Sequence, residues 1–312
     1  MNDTLNPVVY FITVNYYSSN LIQELLNSIA ATQDPNYHIL IVNNSPDDTA
    51  VQALARLERI TLLNAAKNLG FGGGCNLGMQ HAYSLDPHSI IWLINPDAQL
   101  EPSAVAYVRQ CLIQDPKIAI LGTRIRDLDG NLWFSVGTFN PWIGSLKHQN
   151  DQVNCSPNPV QTQPSRWLSG CSMIFNLAAF DHCPLFDTQY FLDYEDADIC
   201  ERYFKQGYVV RVTQAVLINH QVSAITHRNK QAKFQHATFS KLYFLHKHGT
   251  FLSLALNIGL ALLKTVILLP LKPNIATGRW RGLLDFMRWK AQRWLRPQAQ
   301  FQVETDFTRT PS

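Results

Sequence analysis

Val8-Val-Tyr-Phe-Ile-Thr-Val14, running directly into Asn15-Tyr-Tyr-Ser-Ser-Asn20, is the stretch whose reading decides the fold. A continuous β-branched and aromatic run suits a strand buried on both faces, the kind found in parallel sheets. The polar segment at its C-terminal end gives way to a helical pattern at Leu21, Leu25, Leu26 and Ile29. The unit then repeats. A second strand, His38-Ile-Leu-Ile-Val42, ends in Asn43-Asn-Ser-Pro-Asp-Asp48. Another helix leads to a short strand, Ile60 to Leu63, and to the loop Lys67-Asn-Leu-Gly-Phe-Gly-Gly-Gly-Cys-Asn76, followed by helix to about Tyr83. The strand Ile90-Ile-Trp-Leu-Ile94 closes the series on Asn95-Pro-Asp97.

Strands and helices alternating at this spacing predict right-handed βαβ units, an α/β fold and a mostly parallel, Rossmann-like sheet. In such sheets ligands sit outside the carboxyl ends of the strands. The Asn15 loop, the Asn43 loop, the glycine loop and Asn95-Pro-Asp97 all fall at such ends, which predicts a site there.

The second half changes character. It has a turn at Asp127-Leu-Asp-Gly130 and a polar stretch from Lys147 to Pro164 that reads as a mobile loop. Trp167-Leu-Ser-Gly-Cys-Ser-Met-Ile-Phe175 follows, then the acidic run Phe191-Leu-Asp-Tyr-Glu-Asp-Ala-Asp-Ile-Cys-Glu-Arg202. The spacing of Ile199, Cys200, Tyr203 and Phe204, stopped by Gly207, predicts a short helix with its carboxylates at the start. A helix N-terminus favours ionised carboxylates, so these acids are expected to be deprotonated and available as bases or metal-side ligands at neutral pH. The bland alternative is a solvated, well-capped helix start; the flanking Tyr190, Phe191 and Tyr194 argue against full exposure. A strand around Tyr208 to Val212, the segment Val216-Leu-Ile-Asn-His220 and helices to the end complete the chain.

At 312 residues and 46% hydrophobic content the chain can bury a large core. A net charge of +3 gives no ground for a nucleic-acid partner. The basic charge gathers in the tail, where Lys264, Lys272, Arg279, Arg281, Arg288, Lys290, Arg293 and Arg296 face Asp285 alone. Six cysteines, Cys75, Cys111, Cys155, Cys171, Cys183 and Cys200, show no CxxC pair and read as reduced thiols of a cytosolic protein. No export signal is visible in the sequence.

The glycines of Gly70-Phe-Gly-Gly-Gly74 fit no Gly-x-Gly-x-x-Gly register, because Gly70-x-Gly72 is followed by Cys75 and Gly72-x-Gly74 by Leu77. Two readings remain for them, a packing turn or a close approach to a nucleotide or sugar. Asn95-Pro-Asp97 alone would be an ordinary turn. Beside the acidic run, a strand-end Asp97 is suited to a hard divalent cation that neutralises a diphosphate leaving group.

Val14-Asn-Tyr, Val42-Asn-Asn-Ser, Asn68-Leu-Gly-Phe-Gly-Gly-Gly-Cys-Asn76, Leu93-Ile-Asn-Pro-Asp97, Trp167-Leu-Ser-Gly170 and Tyr194-Glu-Asp-Ala-Asp-Ile-Cys-Glu-Arg202 resemble, in order and spacing, glycosyltransferase family 2, with its bacterial rhamnosyltransferase-like members most similar. The resemblance covers roughly residues 7 to 250. It implies a GT-A fold, a nucleotide-diphospho-sugar donor such as a dTDP-sugar, a divalent metal (Mn2+ or Mg2+) and an inverting transfer of a rhamnose-like sugar to a hydroxyl of a glycan or lipid-linked acceptor in cell-surface polysaccharide synthesis. By position it assigns Asp97 and His220 to the metal. It assigns Asp196, with Glu195 beside it, to catalysis. Asn15, Asn43, Asn44, Asn68, Gly70, Gly72, Asn76 and Asn95 fall to the nucleotide-sugar, and Trp167, Ser169, Gly170 and Arg202 to substrate. The chain departs from the family's pattern at Asn43, where many members have a base-binding Asp, at Asn95, which replaces the first Asp of DxD, and at Gln221-Val-Ser-Ala224 after His220. A core or surface histidine is the plain alternative for His220. The competing function is an inactive sugar-nucleotide-binding or scaffold protein on the same fold, and a nucleotidyltransferase is more remote. Acceptor choice is expected from Thr123 to Pro164.

Residues 1–248 are expected to form the GT-A domain and 249–312 a helical, basic extension. Phe251 to Leu271 is long enough to tempt a transmembrane reading. Ser253, Asn257 and Lys264 fall within about 40° on a helical wheel and predict a narrow polar stripe on an apolar cylinder, lying in a bilayer interface with Lys264 reaching the headgroups. Trp280, Trp289 and Trp294 interleave with the basic residues, as an anionic membrane surface would favour. The expectation is a cytoplasmic protein held peripherally on the inner face of the cytoplasmic membrane; packing on the chain's own domain, or on a second subunit in a homodimer, is the alternative.

Overall fold

A computed structural model describes residues 6–149, 160–221 and 230–295. The opening run forms β1 (Val9–Asn15), followed by α1 (Ser19–Ala31), β2 (Tyr37–Asn43), a 3-10 turn at Ala50–Arg56, β3 (Ile60–Asn64), α2 (Gly70–Leu85) and β4 (Ile90–Ile94). These four strands pair in parallel, with β1 between β2 and β4 and β3 outside β2. Continuous apolar sequence was the right signal for them because every residue of β1 and β4 is buried. Trp92 of β4 stacks on Phe11 of β1 at 5.3 Å and its indole N–H donates to Ser172 Oγ at 3.0 Å. Its large ring is therefore buried with its one polar atom satisfied.

The second half extends the same sheet in mixed sense. It contains β5 (Ala98–Leu100), α3 (Ala104–Gln114), β6 (Ile118–Asp127), β7 (Leu132–Phe134), the hairpin β8 (Val136–Asn140) and β9 (Ser145–Gln149), then β10 (Thr162–Pro164) and β11 (Ser172–Asn176). The helix α4 (Glu195–Lys205) and the strand β12 (Val209–His220) follow. The order is β10-β12-β6-β11-β4-β1-β2-β3, with β5 on β12 and β7 on β6. β11 is antiparallel to both β4 and β6, whereas β12 runs parallel to β6.

Three local expectations change. Tyr208 to Val212 and Val216 to His220 are one strand, β12, interrupted by register shifts near Val212 and Val216. The stretch from Lys147 to Pro164, expected as a loop, has strand at both ends: Lys147 pairs with Thr138 in β8–β9, and Thr162 to Pro164 pair with β12. Its middle, with Cys155, lies outside the described residues, as do Val222 to Ala224 and Arg296. The glycine loop is helix from Gly70 onward. Its glycines make room for protein: a Cβ on Gly74 would stand 2.9 Å from Val14 Cγ1, and one on Gly78 2.6 Å from Ile12 Cγ2. They let α2 lie directly against β1, so for Gly72, Gly74 and Gly78 packing is the reading that the structure carries.

The C-terminal helices α5 (Lys230–His248), α6 (Phe251–Leu268) and α7 (Pro273–Leu295) pack on one another. Their core of Leu242, Phe244, Leu245, Leu254, Leu283 and Phe286 is joined by Tyr190 and by Ala197 of α4. α5, expected to belong to the sheet domain, thus shares its core with α7. The polar stripe of α6 also turns the other way from expectation. Ser253, Asn257 and Thr265 are buried against the protein, while the leucine-rich faces and Lys264 point outward. The inward polar groups are satisfied locally: Ser253 Oγ donates to Thr250 O at 2.9 Å, Asn257 Nδ2 to Ser253 O at 2.8 Å and Thr265 Oγ1 to Ala261 O at 2.8 Å.

Candidate active site

The carboxyl ends of β1, β2 and β4 open into a cleft of about 470 Å3, in the range of ligand pockets. Its floor carries Asn95, Asp97 and His220; one wall is Asn44, Asn68 and Gly70, another Ser169 and Gly170, and the acidic turn Phe191–Asp196 and the start of α5 complete it.

Asp97 and His220 meet because β5 pairs antiparallel with the end of β12, which sets His220 opposite Ala98. Gln221 N–H donates to Asp97 O at 2.9 Å, and His220 Nε2 lies 3.2 Å from Asp97 Oδ1. Both residues are buried, and His220 Nδ1 has no partner. Trp133 stands edge-on to the imidazole at 4.7 Å.

The acidic run divides by role. Asp193 and Tyr194 both have left-handed backbone, φ 66° and 70°, and this strained turn delivers α4 to the cleft. Asp196 Oδ2 accepts from the Gly170 N–H at 3.0 Å and Oδ1 from the Ala197 N–H at 2.7 Å. Burial still pushes its carboxyl up, to about 6, against those two backbone donors. Glu195 is pushed well above the usual carboxylate range by burial and then by the Asp196 charge, and its Oε2 has no partner. Asp193 is also raised, chiefly by burial, with Lys233 opposing. The helix N-terminus does not offset this burial, because at this depth desolvation exceeds the ~0.3–1 kcal/mol that the helix end supplies, yet Asp196 still ionises below neutral pH, as expected. The result is a pair of adjacent carboxyls, both raised by burial, in which Asp196 ionises near pH 6.

Asp198 and Glu201 turn away from the cleft. Asp198, fully buried, accepts from Arg202 Nε at 2.8 Å, Lys247 Nζ at 2.7 Å, His248 Nε2 at 2.8 Å and the Tyr190 hydroxyl at 3.1 Å. Those partners outweigh its desolvation and hold its carboxyl well below the usual range. Glu201 receives the fork of Arg166 at 2.6 and 2.9 Å.

Of the residues singled out from sequence, Asn44, Asn68, Gly70, Asn95, Asp97, Ser169, Gly170, Glu195, Asp196 and His220 line the cleft. The structure does not bring the others to it. Asn15 and Asn43 bond each other at 3.2 Å beneath it. Asn76 clamps Phe186 through both its amide atoms, and Gly72 packs on the same ring. Trp167 lends its indole N–H to Lys147 O at 3.0 Å. Arg202 is committed to Asp198 and Leu185 O. Conversely Tyr16, Trp133, Asp193, Lys233 and His236 line the cleft without having been assigned there. The last two come from α5, which carries no motif; His236 stacks on Phe191 at 4.4 Å.

The profile described as Glycosyl transferase family 2 matches residues 10–169. The chain belongs to glycosyltransferase family 2. Among curated relatives of this transferase, the N-acetylglucosaminyl-diphospho-decaprenol L-rhamnosyltransferase of Mycobacterium tuberculosis is 30% identical over 247 residues, 70% of this chain and 77% of the relative. The dTDP-rhamnosyl transferase RfbF of Shigella flexneri is 19% identical over 218 residues, 70% of each. Among solved structures, the mannosyltransferase PcManGT of Pyrobaculum calidifontis in complex with GDP-Man and Mn2+ superposes with a TM-score of 0.53 at 16% identity, covering 90% of this chain and 87% of that one. Such a likeness shows the fold, GT-A, with a helical C-terminal region.

The transferase's residues fit a divalent cation. Among the described residues no cluster of three or more His, Cys, Asp or Glu could enclose one. One carboxylate and an imidazole with a buried, unpartnered nitrogen, on the floor of the cleft, are a partial donor set of the kind that Mg2+ or Mn2+ uses when substrate phosphates complete its shell.

Proposed function

We propose that this glycosyltransferase moves a rhamnose-like sugar from a dTDP-linked donor to a hydroxyl of a lipid-linked glycan acceptor, with inversion at the anomeric carbon. The observation that carries the reading is the carboxyl pair Glu195–Asp196 at the start of α4, lining one cleft with Asp97 and His220. The printed names of the rhamnosyltransferase relatives support the donor and the lipid-linked acceptor.

Asp196 is the general base. Above about pH 6 it takes the proton of the acceptor hydroxyl as that oxygen bonds to the anomeric carbon, and the bond from that carbon to the diphosphate oxygen breaks with its electron pair. One attack from the face opposite the leaving group inverts the centre. The Gly170 N–H fixes one Asp196 oxygen and so its direction. Burial and the Asp196 charge disfavour ionisation of Glu195, which limits a second charge beside the base. Asn44 and Asn68, bonded to each other at 3.0 Å, form the donor side with the Gly70 turn. Asp97 and His220 would hold Mn2+ or Mg2+, which supplies charge neutralisation for the departing nucleoside diphosphate.

The experiment is incubation with dTDP-rhamnose, Mn2+ or Mg2+ and an N-acetylglucosaminyl-diphospho-polyprenol, reading the anomeric configuration of the product. Donor-dependent product of inverted configuration is expected. Nucleotide-sugar binding with no transfer to any polyprenol-linked acceptor would leave the inactive scaffold in its place. Asp97→Ala should keep the fold and lose metal-dependent donor binding in titration calorimetry; unchanged metal dependence would remove Asp97 from the cation site.

A further inference from the structure

α6 has its polarity inside out. On a soluble surface helix the polar face meets water; here Ser253, Asn257 and Thr265 are buried, while Leu252, Leu256, Leu260, Leu263, Val266 and Ile267 are exposed. Soluble monomers rarely expose apolar patches beyond a few hundred Å2. By length and composition α6 is apolar enough to cross a membrane, yet one face of it is fixed to the protein.

A second element, remote in sequence, joins that face. The β8–β9 hairpin tip is bound to the start of α6: Thr250 N–H donates to Pro141 O at 3.1 Å and Asn257 Nδ2 to Ile143 O at 3.1 Å. The tip side chains Trp142 and Ile143 are 68% and 58% exposed, and Phe251, opening α6, is 85% exposed. Exposed basic charge lies on α6, on the turn after it and on α7, which packs against α6. Lys264, Lys272, Arg281, Arg288, Lys290 and Arg293 are exposed, and Asp285 is the one acid between 251 and 295.

We propose that the outward face of α6 and the Trp142–Ile143 tip form a single membrane-inserting surface that takes an anionic bilayer. Charge selects the occupant. A second copy docked two-fold on this face would bring together two net-basic pairs of C-terminal helices, whereas acidic headgroups complement that charge. α6 lies in the interface with its leucines down, and the tip enters beside its first turn as an aromatic anchor. The same hairpin abuts the cleft wall: Trp167 bonds Lys147 O, and Gly137 N–H donates to Ser165 Oγ at 2.9 Å, a few residues before Ser169 and Gly170. Insertion therefore sets the acceptor side of the cleft near the headgroups. Only that last step rests on the lipid-linked acceptor proposed above.

The test is flotation of the full chain with vesicles of phosphatidylglycerol and phosphatidylcholine, against phosphatidylcholine alone. Wild type should float with the anionic vesicles. The double variants Trp142→Ser/Ile143→Ser and Leu256→Gln/Leu263→Gln, all on exposed positions, should each lower the partition coefficient at least about tenfold while melting as wild type does. Brominated acyl chains should quench wild-type fluorescence more than that of Trp142→Phe. Undiminished flotation of folded variants overturns the proposal, as does a wild-type dimer in sedimentation that these variants split without any vesicle binding. Transfer activity is measured separately on a detergent-dispersed acceptor. Flotation as described with no transfer there would overturn the reaction and leave the surface standing.

Discussion

Asp196 carries opposite demands on stability and activity, and both can be read against pH. Its carboxyl rises from the ordinary 3.8 to about 6 because burial penalises the ionised form. A carboxyl raised by folding contributes stability that is complete below its unfolded value and lost as pH rises through its folded one. The loss falls between about pH 4 and 6. Asp196→Asn leaves one of the two backbone donors without an acceptor at every pH, so its effect is read as a difference: relative to wild type the variant should be about 1–3 kcal/mol better off at pH 8 than at pH 4.5, after discounting for the side of the carboxyl open to the cleft. Urea midpoints at the two pH values check it; equal shifts would mean that the gain is not electrostatic. The same substitution should cost ~100–10,000-fold in transfer, and wild-type kcat/KM should climb to a plateau through about pH 6. A rate independent of pH from 5 to 8 would remove Asp196 as the base.

At the scale of elements, α4 is held between two sets of partners, and Asp198 is the joint. Its carboxylate binds α4's own Arg202 and, on α5, Lys247 and His248. Asp198→Asn would leave Arg202 and Lys247 facing a neutral amide, at about 3–5 kcal/mol. Because this carboxyl is depressed by folding, its contribution is present above the ordinary 3.8 and is lost as pH falls below it. The variant should thus be less stable at pH 7 and should lack part of the wild type's acid destabilisation, both visible in urea titrations. Gly70 is the second fixed point. Its φ is +75° and a Cβ there would meet the Phe191 carbonyl, so Gly70→Ala should cost at least about 2 kcal/mol and displace the acidic turn. An unchanged melting temperature would contradict that packing. These elements differ in how far the sequence disclosed them. β1, β2 and β4 were legible because parallel strands buried on both faces are written as continuous apolar runs, and the half-buried edge strand β3 followed from its place in the alternation. The meeting of Asp97 and His220 was reached only through the family resemblance, which assigned both to the metal; it depends on a short β5–β12 pairing, with 123 residues between the two side chains, that leaves no local period. For the glycines, residue type gave small size and freedom of φ but not which surface would press on them.

For the whole molecule, the question is whether the sheet domain stands without the helices that follow it. Sequence periodicity located a polar stripe on α6 and could not say whether it faced water or protein, because period fixes relative direction only. In the fold Ser253 and Asn257 of that stripe face inward and Lys264 outward, and the helices are part of one body: α5 supplies Lys233 and His236 to the cleft, Lys247 and His248 to Asp198, and Tyr243, Phe244 and Leu245 to a core closed by Leu254, Leu283 and Phe286. A chain ending at His248 would keep the first two contributions and lose the cover of the third. Burying each large apolar side chain is worth ~1.5–3 kcal/mol, so the three lost partners amount to about 5–9 kcal/mol before α5's own newly exposed residues are counted. That is comparable with the ~5–15 kcal/mol that separates a typical folded domain from its unfolded state. Residues 1–248 expressed alone should therefore aggregate or melt without a cooperative transition, and should bind nucleotide-sugar at least about tenfold more weakly than the full chain, because the α5 wall of the cleft loses its support. Differential scanning calorimetry and calorimetric titration with a dTDP-sugar test this directly. A cooperative melt at the full-length temperature together with full-length affinity would instead make α6 and α7 an appendage, and α5 would then have to be held by Asp198 and the acidic turn alone.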